Sequence, residues 1–98
     1  MKYNLIFRER AIKEIQESFD YYEEEKIGLG DRFKSQLKKE IDYVLENPKH
    51  FKVVRKSFRQ ALVSVFPFLI IYKISEEKII IYSVFHTSRN PKEKLKNK

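Results

Sequence analysis

Three cationic or titratable side chains flank the most apolar stretch of the chain and could do chemistry there. His86 and Arg89 follow that stretch in the segment His-Thr-Ser-Arg, and Arg59 precedes it. An imidazole titrates near pH ~6.5 and can exchange protons at neutral pH. Arginine binds phosphate or carboxylate with two parallel hydrogen bonds. The residues alone leave two interpretations open: a cationic site, or a strand-end histidine held by backbone hydrogen bonds between exposed arginines.

A second group of cations lies in the connection before Arg59. It comprises Lys49, Lys52, Arg55 and Lys56, and it is either part of the same site or a solvated loop. Residues 1–47 hold 9 Lys and Arg against 11 Asp and Glu, a net charge of −2, whereas residues 48–98 hold 12 against 3, a net charge of +9. This segregation predicts an anionic partner, either a nucleic acid or an acidic protein segment.

Several classes of function have no support in the sequence. The chain has no cysteine, no phosphate-binding glycine loop and no zinc signature, so we expect no metal and no cofactor. The acidic run at residues 23–25 is interpreted as a solvated surface. The longest apolar run, residues 65–72, is far shorter than the ~20 residues of a membrane span, and the N-terminus does not resemble a signal peptide. We therefore expect a cytoplasmic protein that does not bind membranes.

Two amphipathic helices are predicted in the first half of the chain. They are joined by Gly28 and Gly30, the only two glycines, and the second ends at Asn47, because a proline follows. The first apolar stripe is Ile12, Ile15, Phe19 and Tyr22, and the second is Leu29, Phe33, Leu37, Ile41, Val44 and Leu45. Such closely joined helices should form an antiparallel hairpin that covers one face of a sheet.

The predicted sheet begins with an alternating strand at residues 2–8 and continues after the helices. Residues 53–54 could start a short strand, residues 59–66 alternate, and residues 68–74 and 79–85 read as two central strands joined by a tight hairpin. Strict alternation places Ile80, Tyr82, Val84 and His86 on one side of the last strand. Tyr72 and Tyr82 could stack on bases, although such residues are more often part of a core. The predicted fold is α+β, β-α-α-β-β-β with a possible further strand, in a mostly antiparallel sheet.

Five short segments resemble the ParE/RelE superfamily of bacterial type II toxin–antitoxin toxins, and within it the ParE-like plasmid stabilisation branch. They occur in the family's order: Tyr21-Tyr22-Glu23, Leu29-Gly30-Asp31-Arg32-Phe33, Asn47-Pro48, Phe66-Pro67-Phe68-Leu69-Ile70-Ile71-Tyr72 and His86-Thr87-Ser88-Arg89-Asn90-Pro91. The resemblance implies a single toxin domain at residues 1–91, followed by a polar basic tail at residues 92–98.

The resemblance also implies the function and its partners. ParE-type members poison DNA gyrase by protein binding, whereas RelE-type members cut messenger RNA on the ribosome. RelE-type nucleases carry Arg or Lys just before the central hairpin, where this chain has Ser64, Val65 and Phe66. We therefore predict a gyrase inhibitor that forms an oligomer with a cognate antitoxin carrying an acidic C-terminal segment. A ribosome-dependent endonuclease and a non-toxic, binding-only member are the alternatives.

The same resemblance places the predicted binding surface for target or antitoxin on one group of cations. It consists of Lys52, Arg55, Arg59, His86 and Arg89. If the protein were a nuclease, Arg59, His86 and Arg89 would be the catalytic residues.

Overall fold

The structure, a computed structural model, describes residues 3–63 and 65–87. The elements in chain order are β1 (Asn4–Phe7), α1 (Glu9–Glu25), α2 (Leu29–Glu46), β2 (Val53–Arg55), β3 (Phe58–Val63), β4 (Phe68–Ser75) and β5 (Lys78–His86). They form one five-stranded sheet of order β1-β5-β4-β3-β2, in which only the β1–β5 pair is parallel. The predicted α+β fold is confirmed, and β4 and β5 are central strands as expected.

The helix hairpin covers one face of this sheet. The buried stripe of α2 contains Phe33, Leu37, Ile41, Val44 and Leu45, as predicted. This stripe packs with alternate residues of the strands, so the core lies between the helices and one sheet face. The strand residues in that core are Ala61, Val63, Phe68, Ile70, Tyr72, Ile79, Ile81 and Val84. We call this the helix face, and the opposite side of the sheet the open face.

The predicted apolar stripe of α1 is wrong at one of its four residues, Ile12, whereas Tyr22 lies in the core and Ile15 packs against it. Ile12 is 55% exposed, whereas Ala11 and Ser18 are buried together with Tyr22. Small residues at these two positions let the helix backbone approach β5 closely, and this approach excludes the larger Ile12 from the contact. Helical periodicity therefore located the helix and most of its buried stripe, but it did not detect the small buried residues Ala11 and Ser18.

Glu23 closes the helix hairpin, although the acidic run at residues 23–25 is predicted to be a solvated surface. The backbone N–H groups of Gly28 and Gly30 donate to the two oxygens of Glu23, at 2.9 and 3.0 Å. Gly28 has φ = 91°, a left-handed conformation that glycine adopts without strain. Glu23 thus satisfies donors at the start of α2, where a negative charge is favourable.

Strict alternation fails at two places in the later strands. β3 ends at Val63, so Phe66 turns into the core and Val65 is 60% exposed, opposite to the prediction for residues 59–66. In β5, Tyr82 is an extra residue, because Ile71 pairs with Ser83 while Tyr72 pairs with Ile81. Such a β-bulge changes the side on which the following residues point.

Candidate functional site

The open face is apolar in its centre. Leu62, Leu69, Ile71 and Phe85 alternate with core residues along β3, β4 and β5, so they point away from the helices. Leu69, Ile71 and Phe85 are buried and Leu62 is exposed. Among the described strand residues of this face, none is Asp, Glu or His. Leu62 therefore offers apolar contact at the surface, whereas Leu69, Ile71 and Phe85 are already covered within the chain. The described strand residues of this face hold no group that could exchange a proton near neutral pH.

Two cations and two aromatic rings form a cluster beside this apolar centre. The Arg8 Cζ lies 4.9 Å from the centre of the Tyr82 ring, and its Nη2 donates to the Tyr82 hydroxyl at 3.2 Å. The Lys73 Nζ lies 5.2 Å from the Phe58 ring and 6.0 Å from the Tyr82 ring. The two rings meet edge to face at 4.9 Å. We call these four residues the Arg8–Lys73 cluster.

Tyr82 is the extra residue of the β-bulge in β5, and Glu14 of α1 binds the two residues that follow it. One oxygen of Glu14 accepts from the Ser83 hydroxyl at 2.8 Å and from the Val84 N–H at 2.9 Å. Its other oxygen forms an ion pair with Arg10 at 3.1 Å. Because a bulge leaves backbone groups outside the regular ladder, this carboxylate takes the place of a missing strand partner.

Arg59 lies on the helix face and is bound to backbone carbonyls. It alternates with Ala61 and pairs with Tyr72, both of which are in the core. Its Nη1 donates to the carbonyl of Phe51 at 2.6 Å and to that of Lys49 at 3.4 Å. Arg59 thus ties the connection after α2 to the sheet.

Tyr72 lies under the same connection. Its hydroxyl donates to the Pro48 carbonyl at 2.6 Å. Burial raises the pKa of Tyr72 to about 12, although the charge of Arg59 acts in the opposite direction. Tyr72 is therefore a core residue, and it does not offer its ring for stacking on bases.

His86 also lies on the helix side, at the far end of β5. Its Nε2 is 3.1 Å from the Tyr22 hydroxyl, and its ring contacts Phe68 at 5.0 Å between centres. Arg59 pairs with Tyr72 of β4, and His86 pairs with Phe68, four residues away along the same strand. Because β3 and β5 lie on opposite sides of β4, the backbones of Arg59 and His86 are about 16 Å apart. The structure does not bring these two predicted site residues together.

The other predicted site residues are separate from that pair. Arg55 is exposed and pairs with Phe58, which places it beside the Arg8–Lys73 cluster on the open face. Lys52 is exposed before β2, and its carbonyl accepts from the Gln60 N–H at 3.2 Å. Arg89 lies outside the described residues. Their assignment to a binding surface stays a prediction.

Sequence reasoning missed the Arg8–Lys73 cluster. Lys73 and Phe58 are direct strand neighbours, and a correct β3–β4 register would have revealed them. Tyr82 joins them through the β4–β5 register, which pairs Lys73 with Ile80. Arg8 depends on the parallel pairing of β1 with β5, for which the sequence has no local signal. In the described part of the chain, no group of three or more His, Cys, Asp or Glu residues could hold a metal ion.

Comparison with known protein families identifies the class. The family model of the ParE toxin of type II toxin–antitoxin systems, parDE, matches residues 5–91. The chain belongs to this family and is a toxin of a type II toxin–antitoxin system. The resemblance seen in the five sequence segments is thereby confirmed. No curated protein sequence matches the chain.

Solved structures share the fold. A chain of the intact E. coli RelBE toxin–antitoxin complex is 26% identical, with a TM-score of 0.65, and the match covers 85% of this chain and 94% of that one. A mutant E. coli RelE in complex with an antitoxin RelBc peptide is 24% identical, with a TM-score of 0.68, and the match covers 97% of this chain and 96% of that one. A chain of the chromosomal ParDE system from P. aeruginosa is 13% identical, with a TM-score of 0.62, and the match covers 87% of this chain and 96% of that one. No helix in the described ranges is long and apolar enough to cross a membrane.

Proposed function

We propose that this toxin acts by binding a protein target, DNA gyrase, and that a cognate antitoxin neutralises it. The observation that carries the proposal is the composition of the open face. Its described strand residues include the exposed Leu62 and the cations Arg55 and Lys73 but no Asp, Glu or His, which suits contact with a protein better than proton transfer. The match to the ParE family model supports the same target class through the family resemblance.

Cleavage of RNA has less support in this arrangement. Attack by a 2′-oxygen needs a group that takes the proton and cations that stabilise the developing charge. Of the residues predicted for that role, Arg59 donates to backbone carbonyls and His86 contacts the Tyr22 hydroxyl. Both lie on the helix side, about 16 Å apart.

An antitoxin partner is proposed from the structural relatives. The RelBE complex, the RelE–RelBc complex and the ParDE system are all toxin–antitoxin assemblies. The net charge of +9 over residues 48–98 supports an antitoxin segment that is acidic. The RelE-like endonuclease remains the competing function, because the RelBE chain is 26% identical.

Expression from a tightly repressed promoter separates the two functions in cells. We expect induction to cause DNA breaks and filamentation while protein synthesis continues, since a gyrase poison acts on DNA first. Immediate arrest of translation with cleaved message would contradict the proposal. Unchanged growth, with the folded protein present at the same level, would instead favour the non-toxic, binding-only alternative.

A further inference from the structure

The Arg8–Lys73 cluster holds two positive charges in fixed positions on the open face. Arg8 is held by both the ring and the hydroxyl of Tyr82, and Lys73 lies over Phe58. A cation placed on an aromatic ring loses conformational freedom before any partner arrives. Less entropy is therefore lost when these two side chains bind a ligand than for ordinary surface lysines and arginines.

The geometry of the rings disfavours a nucleic acid as that ligand. Proteins bind single-stranded nucleic acids by stacking bases on open aromatic faces. In the cluster, Arg8 and Lys73 lie within 4.9 and 6.0 Å of the Tyr82 ring centre, and the Phe58 ring meets Tyr82 at an angle of 87°. The cations and the neighbouring ring occupy the positions that bases would need.

The spacing and the surroundings of the charges suit two carboxylates on one protein segment. The two cationic centres can be no further apart than the sum of their distances from the Tyr82 ring, 4.9 and 6.0 Å. Acidic residues four or seven positions apart on an α-helix are ~6 or ~10.5 Å apart along its axis, and both spacings lie within this limit. Ile80, which alternates with core residues on the same strand, and the rings offer apolar surface between the charges. Arg55, opposite Phe58, adds positive charge at the edge.

We propose that the Arg8–Lys73 cluster is the docking site for an acidic amphipathic segment of a protein partner. The segment places one carboxylate on Arg8 and one on Lys73, with an apolar side chain between them over the rings. In a toxin–antitoxin pair, the antitoxin is the partner expected to supply it. The inference rests on the antitoxin of the proposed function and deepens it, because it assigns that partner a binding site, and it does not depend on gyrase as the target.

Synthetic helical peptides test the site on the intact protein. The probe carries two glutamates seven residues apart with a leucine between them on the same face, and its control carries glutamine at both positions. Measured by fluorescence anisotropy at about 0.15 M salt, the glutamate peptide should bind about tenfold tighter or better, because two charge-assisted hydrogen bonds are lost in the control. Equal affinity of the two peptides would overturn the proposal.

Matched variants locate the binding. R8Q/K73Q should weaken binding of the glutamate peptide about tenfold or more, whereas R8K/K73R should largely retain it. K13Q/K39Q removes the same charge from exposed helix positions and should stay within about twofold. Equal losses in R8Q/K73Q and K13Q/K39Q, or preferential binding of oligouridylate at the cluster, would overturn the proposal. The assay contains neither gyrase nor ribosomes, so its failure and that of the proposed function are distinguishable.

Discussion

Two side-chain oxygens hold the loop after α2 and the bulge in β5: the buried hydroxyl of Tyr72 and a partly buried carboxylate oxygen of Glu14. Both make hydrogen bonds that connect segments far apart in the chain: Tyr72 to Pro48, and Glu14 to Ser83 and Val84. A buried polar group without a partner costs roughly 1–3 kcal/mol. The stability of the fold should therefore respond to single-atom changes at these two positions.

Tyr72→Phe should lower the free energy of unfolding by about 1–2 kcal/mol at neutral pH, because the Pro48 carbonyl loses its donor. The difference in the free energy of unfolding between the parent and Tyr72→Phe should shrink at high pH. The pKa of Tyr72 is about 12 in the folded state, against an ordinary value of 10. Tyrosine therefore ionises first in the unfolded chain, and its contribution is lost as pH rises from about 10 to about 12.

Urea unfolding of both proteins at pH 7 and pH 11.5 checks this prediction, with circular dichroism as the signal. Relative to the phenylalanine variant, the parent should lose about 2 kcal/mol between the two pH values. Because the variant contains all other tyrosines and lysines, it corrects for their titration. A difference that does not change with pH would contradict the assignment of Tyr72 as a buried neutral donor.

Glu14→Ala should lower the free energy of unfolding by about 2–4 kcal/mol, because it leaves the Ser83 hydroxyl and the Val84 N–H without their acceptor. Glu17→Ala, at an exposed position of the same helix, should change it by less than about 0.5 kcal/mol. Chemical denaturation of both variants measures the contrast. Similar values for the two would show that the bulge does not depend on Glu14.

At the scale of the elements, the helix hairpin depends on a close approach at Gly30. A Cβ at this position would lie 2.7 Å from the Phe19 ring and 2.8 Å from a Glu23 oxygen. Alanine normally stabilises a helix by ~1 kcal/mol relative to glycine. Here the contact with Phe19 and Glu23 outweighs that gain, and Gly30→Ala should destabilise the protein by about 1–3 kcal/mol.

The matched control for that substitution is Ser35→Ala, at an exposed position in the middle of α2. It should be neutral or slightly stabilising, since serine has the lower helix propensity. Thermal unfolding of the two variants compares the effects. If Gly30→Ala raised the melting temperature, the close packing of α1 on α2 would be contradicted.

The elements were largely predictable, and the open-face cluster was not. Period-2 and period-3.6 patterns located both helices and the two central strands, because each pattern directly reflects burial. The bulge at Tyr82 breaks the period without a sequence signal, so His86 lies on the helix side. Ala11 and Ser18 are buried at a close helix–sheet contact that only small residues fit. Hydrophobicity patterns do not detect such positions, because they register apolar character and not size.

At the scale of the whole molecule, the open face combines cations with exposed apolar side chains. Arg8, Lys73 and Arg55 lie on it together with the rings of Phe58 and Tyr82 and the exposed Leu62. A surface of this kind binds a protein through its apolar part and orients it by charge. Sequence patterns predicted an excess of positive charge in the second half of the chain, while the face that carries Arg8 and Lys73 required the strand order and register.

The most direct test of this account is a supercoiling and cleavage assay with purified toxin, DNA gyrase and plasmid. We expect supercoiling to stop and linear DNA to accumulate once the toxin equals gyrase in amount, because inhibition by binding is stoichiometric. In a parallel reaction, ribosomes engaged on a defined message should leave that message uncut. Full gyrase activity in excess toxin, with message cleaved on the ribosome, would contradict the account.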